Sequence, residues 1–119
     1  MIDEDPERAY ASTGPHFVHM YNDYIRRDAY PDLTPFDDPE TALALGREAG
    51  VLLVMDADEA VRTLNRQIAL GVRDINFLTF MPGEDVDTVS ARLQYISDRV
   101  IPRVDEIETP GHRLTLSRG

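Results

Sequence analysis

His16 and His19 are the side chains best suited to proton transfer, standing three residues apart with Tyr24 beyond them. On a helix that spacing makes the two imidazoles neighbours, able to serve as an acid–base pair or as metal ligands. A zinc site needs a third protein ligand, and the 22 carboxylates show no ligand-spaced cluster to provide one. The competing reading is a surface or packing role for both rings. His16 and His19 therefore stand as catalytic candidates without an assigned reaction, and no metal site is expected. Asp3, Glu4, Asp5 and Glu7 crowd a helix start, where negative charge suits the helix dipole, and nothing marks a catalytic carboxylate pair among them. The absence of cysteine excludes thiolate nucleophiles and thiolate metal ligands. Gly83 lies in a lone Pro-Gly pair with no glycine-rich phosphate loop around it, and no Gly-x-Ser-x-Gly elbow occurs.

The chain that must position these residues has 119 amino acids, enough for one small domain with a modest core. Its formal charge of −10 is uneven, with ten carboxylates against three arginines in residues 1–40 and twelve against nine in the remainder. A chain this acidic offers no cationic face for a phosphate backbone, so a nucleic-acid partner is not expected. The longest apolar run, residues 51–55, has the length of a strand rather than a membrane span. The N-terminal residues lack both the basic region and the apolar core of a secretion signal. A cytoplasmic chain without a membrane partner is the expectation.

Local signals divide the chain into about four helices and one or two strands. Asp5-Pro6 reads as a cap followed by a first-turn proline, and Gly14-Pro15 is expected to interrupt that helix before a second begins at His16. Asp38-Pro39 repeats the start signal, for a short helix ended by Gly50. Residues 51–55 read as a buried strand. Asp56 and Glu59 have capping-box spacing ahead of Ala60, Val61, Leu64 and Ile68, and Gly71 closes that helix. Residues 75–80 are the strongest strand candidate, and Asp85 opens a helix whose Val86, Val89, Leu93, Ile96 and Val100 are expected on one buried face. Pro102 should end it.

The order from residue 55 to residue 104 resembles the C-terminal signature of the luciferase-like flavin-dependent monooxygenases. The features that carry it are the capped helix, Gly71-Val72-Arg73-Asp74, a strand, the Pro82-Gly83 loop and a helix ending in Val100-Ile101-Pro102. Asp3 to Ala9 and Gly14-Pro15-His16 are similar to one branch of that family, and the resemblance reaches residues 1–107, with 108–119 expected as a mobile tail and 114–116 in it a candidate short strand. It implies an α/β architecture, the helix-rich C-terminal portion of a (β/α)8 barrel, with residues 75–80 as the eighth strand. Such a barrel takes about 250 residues, so it would be incomplete here. Active sites of these barrels lie at the C-terminal strand ends, which makes Thr79, Phe80 and Met81 barrel-rim candidates for cofactor contact. The resemblance further implies FMN or a reduced deazaflavin as cofactor once the rest of the barrel is supplied, and none for the isolated chain. The functional expectation is a truncated or split family member, not catalytic on its own, needing a complementing barrel N-terminal chain. The alternative is a non-catalytic α/β interaction module that forms a homodimer. Either way residues 75–80 must find partners, in residues 51–55, in the tail at 114–116 or in a second copy.

Overall fold

The computed structural model describes residues 1–76 and 78–105. Within them lie four α-helices, α1 (Pro6–Arg26), α2 (Pro39–Glu48), α3 (Ala57–Ala69) and α4 (Val86–Arg99), followed by a 3-10 turn at Ile101–Arg103. Every helix starts on an aspartate. Asp5 accepts from the Arg8 amide, Asp38 from Glu40 and Thr41, Asp56 from Glu59 and Asp85 from Thr88, each satisfying amides that the first turn leaves without a carbonyl. Gly50 and Gly71, with φ of +70° and +92°, turn the chain out of α2 and α3.

The α/β expectation is corrected here. No strand forms among the described residues, and neither a sheet nor part of a barrel is present. What exists is a single parallel bridge between Ile2 and Met55. Three hydrogen bonds hold it: Met1 N to the Leu53 carbonyl at 2.8 Å, Met55 N to Met1 at 3.1 Å, and Asp3 N to Met55 at 3.0 Å. The extended backbone there behaves locally as a strand would, sending Met1 and Val54 into one apolar cluster and Ile2 and Met55 into the other. Residues 53–55 thus pair with the first residues of the chain and not with the described residues of 75–80. Ile75, Asn76, Leu78 and Phe80 donate no backbone hydrogen bond within the described part, and Leu78 and Phe80 are about half exposed. High β propensity expresses packing against neighbouring strands, and among the described residues no second strand lies alongside to supply it. The tail from residue 108 and its strand at 114–116 lie outside the described residues.

The first cluster packs α1 against α2 through Ala9, Tyr10, Phe17, Val18 and Ala42, with Leu52, Val54 and Met81 closing it. Gly14 makes this approach possible: a Cβ there would lie 2.5 Å from a Leu43 methyl. The expected break at Gly14-Pro15 does not occur, and α1 runs through both residues. Proline removes the amide that would bond to Ala11, but Ala11 and Pro15 both face solvent, where water can take the freed carbonyl. Tyr10 ties α1 to the extended segment, its hydroxyl donating to the Leu52 carbonyl at 3.2 Å and accepting from Val54 N at 2.9 Å.

The second cluster joins Ile2, Ala57, Ala60, Val61, Ile96 and Val100. It uses only the C-terminal half of the expected α4 stripe. Ile96 and Val100 are buried, whereas Leu93 is 47% and Val86 76% exposed. The central inward position of α4 belongs instead to Arg92, one turn before Ile96.

Candidate functional site

Among the described residues Arg92 is the most heavily bonded side chain, with 1% of its side-chain surface exposed. A guanidinium has five N–H donors and no acceptor, and all five are used here. Nε donates to Asp3 Oδ2 at 2.9 Å. Nη1 donates to the Thr79 carbonyl at 2.8 Å and to Glu84 Oε2 at 3.1 Å. Nη2 donates to Glu84 Oε1 at 2.9 Å and to the Thr13 hydroxyl at 3.3 Å. Glu84 is gripped from two further directions, by the Thr13 hydroxyl at 2.7 Å and by the Met81 amide at 2.6 Å. One buried cation thereby fastens the first extended segment, α1, the end of the 75–80 stretch, the 81–84 loop and α4. Charge-assisted, bidentate pairing of this kind fixes geometry, and a carboxylate or guanidinium so fully engaged has no free valence to offer a reactant.

Two effects oppose each other at Glu84. Burial pushes its carboxyl up, but hydrogen bonds from Arg92, Thr13 and Met81, with the Arg92 charge, prevail and hold it below the usual glutamate value. A carboxyl depressed in the folded state contributes stability that is present above the unfolded value, near pH 4.3, and is lost as pH falls through the folded value. The urea midpoint should therefore decline as pH drops below about 4, and Glu84→Gln should flatten that part of the profile. A profile equally steep in the variant would show that the acid sensitivity arises elsewhere.

The structure places the sequence candidates unequally around this network. His16 lies against the 81–84 loop: a Cβ on Gly83 would sit 2.9 Å from its Nδ1, and Gly83 also has a φ of +91° that disfavours any side chain. His16 is thus beside Gly83 of that loop and half-buried, while His19, one turn on, is exposed. Among the described residues no group of three or more histidines and carboxylates is placed to hold a metal. Of the barrel-rim candidates, Thr79 has its carbonyl engaged by Arg92, Met81 is buried in the first cluster, and Phe80 is half exposed. Phe80, Pro82, Gly83, Val86, Val89 and Ser90 line a shallow hollow of about 320 Å³. A flavin phosphate calls for free backbone amides and positive charge, as at an open helix N-terminus. Here all four α-helices are closed by an aspartate side chain and carry a further acid in the first turn. The described residues do not fit that phosphate.

Asp3, Thr13, Glu84 and Arg92 were not apparent as a unit from sequence. One signal could have found the centre of it: Arg92 falls between Val89 and Ile96 at helical spacing, an arginine on the apolar side of its helix. Its partners are 89, 79 and 8 residues away, and no local pattern connects them.

No protein family, curated protein or solved structure matches the chain. Among the described residues no helix is long and apolar enough to cross a membrane.

Proposed function

We propose that this chain is a non-catalytic segment related to the C-terminal end of luciferase-like flavin-dependent monooxygenases, and that a complementing chain supplies the flavin site. The observation that carries the reading is the Arg92 network, which spends Asp3, Thr13, Glu84 and Arg92 on holding segments together. The helices and loops keep the order of the resemblance, with an aspartate-capped α3, Gly71 at its end, the Pro82-Gly83 loop, an aspartate-capped α4 and a 3-10 turn at the Val-Ile-Pro motif, but the strand expected at 75–80 does not form among the described residues. The exposed Leu78, Phe80 and Val86 provide the surface that the completing chain would cover.

Flavin titration tests this. The purified chain alone should show no saturable binding of FMN or of a deazaflavin. Mixed with the preceding portion of a luciferase-like monooxygenase, it should form a complex that binds one of them. Tight stoichiometric binding by the chain alone would overturn the non-catalytic reading, and failure of any complex to bind flavin would overturn the family reading.

A further inference from the structure

A crevice of about 140 Å³ opens between α1, α2 and the loop that joins them. Phe17, Tyr21, Leu33, Phe36, Leu45 and Val51 form its main walls, and none of its lining residues is charged. The walls are set by contacts around the crevice. Tyr21 stacks on Phe17 with ring centres 5.6 Å apart and meets Tyr30 at 5.1 Å. Across from them the Asn22 amide makes two hydrogen bonds to the backbone of Phe36, donating to its carbonyl at 2.9 Å and accepting from its amide at 2.8 Å. The connecting loop is thereby pinned to α1, keeping Phe36 in place. On α2 the space is preserved by Gly46, where a Cβ would only just reach the Phe17 ring, at 3.7 Å. Glycine within a helix is unfavourable for the helix itself, so this position gives up helix stability and leaves room.

We propose that this crevice binds a small, uncharged, apolar molecule of about the size of one aromatic ring. A cavity of on the order of 150 Å³ lined by aliphatic and aromatic side chains is large enough for benzene. A water molecule in such a space needs two to four polar partners, and the Tyr21 hydroxyl is the only side-chain polar group of the lining. An apolar guest therefore displaces poorly held water and loses no hydrogen bond in doing so. A charged guest would leave its charge unpaired against apolar walls. A second copy of the chain fits less well as occupant, because a stable interface covers about 800 Å² per partner and this opening admits little more than one side chain.

The test is a toluene titration followed by the methyl NMR signals of the ¹³C-labelled chain. Saturable shifts should be confined to methyls around the crevice, including Ala42, Leu45, Ala49 and Val51. Benzylamine, similar in size but cationic, should bind about tenfold or more weakly. Gly46→Leu, which fills the space from α2, should abolish the toluene shifts. If that variant does not fold, the toluene and benzylamine comparison on the natural chain decides alone. The proposal fails if toluene produces no localised shifts, if benzylamine binds equally well, or if a folded Gly46→Leu still responds. It also fails if the same methyls shift when the protein is concentrated without toluene, which would assign the crevice to a second copy.

Discussion

Replacing Arg92 with methionine should lower the free energy of unfolding by about 3–5 kcal/mol. Methionine roughly keeps the length and flexibility of the aliphatic stem, so the loss reports the guanidinium. Without it Glu84, with 3% of its side-chain surface exposed, loses its cation, and Asp3, with 10% exposed, keeps only the looser pairing to Arg8 at 3.7 Å. The Thr79 carbonyl loses its donor as well. Breaking one partner of a buried pair costs more than the pair's net worth, because the remaining charge stays desolvated. Part of the loss should return in the triple variant Arg92→Met with Asp3→Asn and Glu84→Gln, which removes the stranded carboxylates. Chemical denaturation measures both. A change below about 1 kcal/mol in the single variant would place Arg92 at the surface.

The second large effect separates two neighbours on α4. Ile96→Ala should cost about 2–5 kcal/mol, since Ile96 is buried against Ile2, Ala60 and Val100 and its removal leaves a cavity. Leu93→Ala, three residues earlier, should change the free energy of unfolding by no more than about 0.5 kcal/mol, the range of ordinary surface substitutions. Sequence periodicity gives both leucine and isoleucine the same standing in one stripe. Equal losses would restore Leu93 to the core and contradict the observed rotation of α4.

Much of the helical framework was legible because its signals are local. Aspartate caps, first-turn prolines and helix-ending glycines act within a few residues, and Asp5, Asp38, Asp56, Asp85, Gly50 and Gly71 all stand where the sequence puts them. The break expected at Gly14-Pro15 failed because it depends on what surrounds the residues: an exposed Ala11 carbonyl and a leucine packed on the bare glycine. Residues 75–80 misled for a related reason. Their composition expresses a capacity to pair, but pairing needs an adjacent strand, and the extended segment at 53–55 is already bonded to residues 1–3. The candidate site was legible only in pieces. His16 and Met81 could be named, whereas Arg92 draws its partners from residues 3 and 13 as well as from 79 and 84.

Amide hydrogen exchange on the isolated, dilute chain tests most directly the claim that it is a helical unit pinned by Arg92, in which Asn76 and Leu78 donate no backbone hydrogen bond to the described residues. Asp3 and Met55, which donate across the parallel bridge, should exchange slowly, as should the amide of Met81, held by Glu84. Asn76 and Leu78 should exchange close to the rate of an unstructured peptide. Slow exchange at Asn76 and Leu78 in the dilute monomer, together with rapid exchange at Asp3 and Met55, would show a sheet built on the later segment and contradict this account.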